Sequence, residues 1–188
     1  MAVIMSRQIV LPDRTKFVNY LQATGTQYID TGYKPNSNTT IEVKYNSLTT
    51  SNTIGCVIGS DAGWLSNECS IYLNVFAFGT KSTSLSTATA KDVTVKLDKG
   101  TAYRDGTQVW TNSETFTSSY ALTLFALNRS GSVQEFFSGR IYSAKIWDNG
   151  NLVRDFVPCI DSNGAACFYD NVSGAFYYNA GTGEFGAG

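Results

Sequence analysis

The sequence predicts an all-β chain folded as an antiparallel β-sandwich. Three observations lead there: segments with period-two apolar patterning, turn dipeptides between them, and no stretch of ten or more residues that keeps a helical period. Residues 1–16 read as an N-terminal arm, and residues 17–188 as one domain, because no repeat, linker or charge run divides them. The arm carries Ile4, Ile9, Val10 and Leu11, which are not obviously core and suit pairing with a neighbouring chain or attachment to a larger particle.

The strands follow in chain order. Ile41, Val43 and Tyr45 alternate with Glu42, Lys44 and Asn46, the pattern of a strand with one wet face. Ile71 to Phe78 is apolar at nearly every position and reads as one central strand covered on both sides. Thr80 to Thr89 is filled with Ser and Thr, where a helix would want Ala, Leu, Glu or Lys. Val93, Val95 and Leu97 repeat the one-wet-face alternation. Asp105-Gly106 and Asn149-Gly150 are strong two-residue hairpin turns, because both central residues of such a turn need positive φ. Tyr120 to Leu127 reads as a second doubly covered strand. Asn163-Gly164 and Ser173-Gly174 mark two further turns.

Composition narrows function mainly by exclusion. The 188 residues include no His, which closes every mechanism built on an imidazole base and every His-ligated metal site. Cys56, Cys69, Cys159 and Cys167 contain no C-x₂-C pair, so zinc-knuckle spacing is absent. Cys159 and Cys167 flank the turn around Asn163-Gly164 and could face each other across a hairpin; two disulfides, or four buried thiols, both remain open. A net charge of −1 with no Lys/Arg cluster disfavours nucleic acid. No run of apolar residues is long enough to predict membrane insertion. Met1 to Arg7 is too short and polar for a signal peptide, which predicts a protein made and used from the cytoplasm unless a leader has been trimmed.

Three segments together resemble the laminin-G/concanavalin-A-like jelly roll. The first runs from Lys91 to Leu97 into Ala102-Tyr103-Arg104-Asp105-Gly106-Thr107-Gln108-Val109, similar to the family hairpin with its Y-x-D-G turn. The second is Leu124 to Asn128 followed by Phe137-Ser138-Gly139-Arg140-Ile141 and the strand to Trp147; the third is Ile146 through Asn149-Gly150 to Pro158. The opening Tyr20 to Gly32 and the ending Phe168 to Phe185 resemble a group of such domains in phage virion proteins and in surface proteins of gut bacteria. The resemblance implies a concanavalin A-like jelly roll and, as the leading expectation, a non-enzymatic phage or phage-like virion protein with a lectin-like domain. Its partners would be bacterial surface glycans or other virion proteins. A structural virion or decoration protein without a glycan site, and a secreted carbohydrate-binding module of a gut bacterium, are the alternatives. Virion assembly in the host cytoplasm goes with the first two, and an extracellular or cell-surface setting with the last.

Each chemistry known on such folds asks for particular residues. Hydrolases of this type carry a Glu-x-Asp-x-x-Glu strand, and retaining glycosidases need two carboxyl groups about 5–5.5 Å apart. Glu42, Glu68, Glu114, Glu135 and Glu184 are isolated in the chain, with no acid two residues after any of them. The resemblance raises calcium as a cofactor, for which Asp30, Asp61, Asp105 and Asn128 are conceivable oxygen ligands, but no EF-hand-type loop is present and Asp105 is expected to serve its hairpin. Sugar binding needs an exposed aromatic platform with polar partners. Trp64 sits in the polar loop Ser60 to Asn67, Trp110 precedes Thr111-Asn112-Ser113, and Asn128 and Arg129 end an apolar strand. Trp64, Trp110, Asn128 and Arg129 are the expected ligand-binding residues, while Trp147 is expected to pack. A chain this rich in aromatics and poor in charge also suits self-association into a homo-oligomer.

Overall fold

The computed structural model describes residues 15–48, 55–85 and 91–188. The described residues contain nineteen strands and no helix. In the first half these are β1 (Lys16–Phe17), β2 (Leu21–Thr24), β3 (Ile29–Asp30), β4 (Thr39–Ser47), β5 (Cys56–Asp61), β6 (Glu68–Tyr72), β7 (Val75–Gly79), β8 (Lys81–Ser84) and β9 (Asp92–Asp98). The second half has β10 (Thr101–Arg104), β11 (Thr107–Thr111), β12 (Thr123–Leu124), β13 (Leu127–Arg129), β14 (Ser132–Gln134) and β15 (Ser138–Asp148). The chain ends with β16 (Asn151–Ile160), β17 (Ala166–Asp170), β18 (Ala175–Tyr177) and β19 (Gly186–Ala187).

The strands form two sheets that close as a β-sandwich of jelly-roll type. The larger runs β11-β10-β9-β4-β15-β16-β17-β18, with β1 on β16, β2 on β15 and β19 on β2; the smaller runs β14-β13-β5-β6-β7-β8, with β12 joining β5 to β3. Pairing is antiparallel except that β13 runs parallel to β5. Both expected one-wet-face strands form: Ile41, Val43 and Tyr45 in β4 and Val93, Val95 and Leu97 in β9 all point into the core. The hairpins at Asp105-Gly106 and Asn149-Gly150 form too, with all four residues at positive φ. Lys99-Gly100 makes a third hairpin of the same kind between β9 and β10, which was not anticipated.

The two doubly apolar runs are not single strands. Ile71 to Phe78 is a hairpin, with β6 and β7 paired through Ile71↔Phe76 around Leu73-Asn74. Both strands are buried almost throughout, so the apolar run carries on into the turn, where Leu73 is buried and Asn74 is its lone polar residue. Tyr120 to Leu127 breaks at Phe125, whose φ of 66° ends β12 before β13 begins. The break is held by Phe125 N–H donating to the Val57 carbonyl at 2.8 Å and by the Phe125 ring, which packs against Phe137, Phe168 and Phe185 in the core. Burial of a large ring outweighs the backbone strain of a left-handed aromatic residue.

Of the expected arm, residues 1–14 lie outside the described residues. Lys16 and Phe17 pair with Ile160 and Cys159 on β16. Cys159 and Cys167 are directly opposite each other on β16 and β17, with sulfur atoms 3.5 Å apart as free thiols. Cys56 and Cys69 cannot bond in this register: Cys69 lies opposite Ser60, four residues along β5 from Cys56, or about 13 Å at the rise of a strand.

Candidate functional site

Strand alternation builds the site on the outward side of the smaller sheet. On β6, Cys69 and Ile71 face the core, so Glu68, Ser70 and Tyr72 share the other face. On β7, Phe76 and Phe78 face the core, which turns Val75 and Ala77 outward beside them. A second, small apolar cluster of Cys56, Tyr72 and Leu127, with Val75 against it, forms on that outward face. Above it the loop from β5 to β6 and the β13–β14 hairpin close a groove of about 370 Å³, within the size range of small-ligand sites.

The loop carries Trp64. The residue is 80% exposed, with one face of its ring against the Arg129 guanidinium at 4.2 Å. Trp64, Leu65 and Asn67 have φ of 37°, 55° and 49°. Asn tolerates such angles, but for Trp and Leu they are strained, of order 1–3 kcal/mol each. The loop is pinned at its base: Asp61 Oδ1 accepts the Gly63 N–H at 2.7 Å, and Ala62 N–H donates to the Ser66 carbonyl at 2.7 Å. A strained loop that presents a large apolar ring to water has no packing reason to do so.

Arg129 is placed by the parallel register, which sets it directly opposite Asp61. Its Nε donates to Asp61 Oδ2 at 2.9 Å, and its terminal nitrogen meets Glu135 Oε1 at 3.1 Å. Burial works against the charged guanidinium, but the Asp61 hydrogen bond and the charges of Asp61 and Glu135 outweigh it and raise its pKa. Glu68 is 3% exposed and lines the groove. Its Oε1 accepts from the Ser70 hydroxyl at 2.5 Å and the Tyr72 hydroxyl at 3.3 Å. Burial pushes the Glu68 carboxyl up despite the Ser70 bond, and the neighbouring charge of Asp61 adds to the rise. Burial raises the Tyr72 hydroxyl as well.

Of the four expected binding residues, the groove unites Trp64 and Arg129. Asn128 lies next to them in the chain but braces the hairpin: its amide donates to the Ala121 carbonyl at 2.9 Å and its oxygen accepts the Gly131 N–H at 3.0 Å. Trp110 is on β11, at the far edge of the larger sheet, where it packs against the core. Trp147 is half-buried on β15 beside a separate shallow groove with Lys96 and Lys145. Glu68, Tyr72, Val75, Ala77 and Glu135 were not anticipated; the glutamates look isolated in the chain, and only the pairing of β13–β14 onto β5–β6 brings them together.

The conceivable calcium ligands do not converge. Asp30 caps Gly32 N–H, Asp105 accepts the Thr94 N–H of the neighbouring strand β9, and Asp61 and Asn128 hold the contacts above. Among the described residues no group of three or more His, Cys, Asp or Glu side chains could hold a metal ion. Among the described residues, these four side chains do not come together as a calcium site.

The architecture is thus that of a jelly-roll β-sandwich with an aromatic-walled groove on one sheet. No family model and no curated protein matches the sequence. Solved structures do match in fold. The CBM40 of the Ruminococcus gnavus IT-sialidase, bound to α2,3-sialyllactose, superposes with a TM-score of 0.54 at 14% identity, covering 71% of this chain and 90% of that one. A second structure of the Ruminococcus gnavus IT-sialidase CBM40 gives a TM-score of 0.53 at 14% identity, covering 70% of this chain and 90% of that one. The neighbours are carbohydrate-binding modules, and at this identity the likeness establishes the sandwich fold.

Proposed function

We propose that the chain is a non-enzymatic glycan-binding module whose ligand docks in the groove between Trp64 and Val75. The observation that carries this reading is Trp64, exposed on a strained loop above an apolar wall, with hydrogen-bonding groups of Glu68, Tyr72 and Asn74 alongside. Apolar C–H faces of a sugar stack on such a ring while its hydroxyls take the polar groups. The fold neighbours, one of them bound to a sialyllactose, support a sugar as the ligand class. They also favour a bacterial carbohydrate-binding module over a virion attachment protein, whose support is the likeness of the opening and closing segments to phage domains.

A binding screen against bacterial surface and cell-wall glycans tests the reading, with and without calcium, each hit recovered and analysed for intact glycan. Trp64→Ala is expected to abolish a hit while changing stability by no more than about 1 kcal/mol, because an exposed cation–π contact contributes about 0.5–1 kcal/mol. Silence across the screen combined with a stable oligomer in light scattering would replace the reading with a structural, assembly role. Cleaved glycan would show that the module is an enzyme.

A further inference from the structure

We propose that the groove is selective for an amino sugar, holding its protonated amine at Glu68, and rejects carboxylated sugars. This rests on the glycan-binding reading and adds the ligand class to it. Arg129 is the one basic side chain among the groove's lining residues, and its charge is consumed. Asp61 takes Nε, Glu135 takes a terminal nitrogen, and the flat face of the guanidinium lies under Trp64. No basic group of the groove is left to receive a ligand carboxylate. Three carboxyl groups, Asp61, Glu68 and Glu135, surround the single cation, so the groove is acidic overall.

Glu68 has what a cation needs. It is almost wholly buried, and Oε1 is engaged by two hydroxyls, while Oε2 has no hydrogen bond or ion pair among the described residues. A buried carboxylate without a direct ion-pair partner is costly, and a ligand ammonium would supply one. Ser70 and Tyr72 fix the carboxyl plane, and Val75 and Ala77 form the apolar wall that receives the sugar ring. A carboxylated sugar in the same place would set like charges together, which disfavours the wrong partner by several kcal/mol. The chain thus departs in its ligand from the fold neighbour bound to sialyllactose.

The test is titration calorimetry of the whole chain, at fixed ionic strength, with four probes: glucosamine tetrasaccharide, its fully N-acetylated counterpart, α2,3-sialyllactose and lactose. The expected result is binding of the glucosamine oligomer at least tenfold tighter than of the other three. Glu68→Gln, nearly isosteric, should lose at least tenfold of that affinity while its circular dichroism stays that of the parent. Trp64→Ala should weaken binding of the same probe. Equal or tighter binding of the acetylated oligomer, lactose or sialyllactose would overturn the charge selectivity and leave the glycan reading standing. Unchanged amine binding by Glu68→Gln would overturn the role of Glu68 in the same way. No binding of these four probes, with silence in the broad glycan screen, would overturn both.

Discussion

The Arg129–Asp61 pair offers the sharpest test of how the groove is held. The Asp61 side chain is 0% exposed and that of Arg129 14%. In Arg129→Gln the carboxylate keeps the Gly63 N–H bond but loses its counter-charge. Breaking a buried pair by removing one partner costs about 3–5 kcal/mol, since an uncompensated charge is left inside. Loss of the Glu135 contact adds little, because Glu135 is partly exposed and such pairs contribute about 0–1 kcal/mol. For a chain of this length the sum corresponds to a melting temperature about 10 °C lower. Asp61→Asn removes the buried charge itself. The double variant Asp61→Asn/Arg129→Gln should therefore be less destabilised than the sum of the singles by at least about 1 kcal/mol. Urea unfolding followed by far-UV circular dichroism and by fluorescence measures all four stabilities, with coincident transitions confirming two-state behaviour. Additivity within about 0.5 kcal/mol, a limit set by independent sites, would refute the claim that Asp61 consumes the Arg129 charge.

Three further outcomes follow from the same structure. Burial holds the folded-state pKa of Glu68 above its unfolded value of about 4.3, so its contribution to stability is complete below that value and lost as pH rises through the folded pKa. Glu68→Gln should accordingly gain stability relative to the parent as pH rises above about 4.3, and a difference that stays flat with pH would contradict the burial. A methyl group at Gly139 would overlap the Phe137 ring and lie 2.6 Å from the Asn46 carbonyl oxygen; Gly139→Ala should destabilise by about 1–3 kcal/mol in chemical denaturation. All four thiols are buried, so a thiol reagent should label them only on unfolding, and mild oxidation should link Cys159 to Cys167 and never Cys56 to Cys69 in peptide mapping.

Much of the fold is written locally. The alternation at Ile41, Val43 and Tyr45 and at Val93, Val95 and Leu97 places strands and chooses their inner faces, because a side-chain period of two ties each residue to one side of a sheet. Asp105-Gly106 and Asn149-Gly150 place turns, since few other residues accept two positive φ angles in a row. Trp64 was legible as an oddity, a large apolar ring in a polar loop. Where both faces of a strand are covered the alternation disappears, and with it the means of seeing a turn at Leu73-Asn74 or a break at Phe125.

Residue types and spacings alone thus determined the sandwich, the turns at Asp105-Gly106, Asn149-Gly150, Asn163-Gly164 and Ser173-Gly174, and the exclusion of imidazole and zinc-knuckle chemistry. The tertiary structure decided the site. Arg129 stands 68 residues from Asp61 in sequence, and only the parallel register of β13 against β5 puts them face to face. That pairing turns a free-looking arginine into a neutralised one and gathers Glu68 and Glu135 around it. The charge that a ligand meets is a sum over neighbours distant in sequence, and such sums are set by strand order and register, which no local pattern of residues encodes.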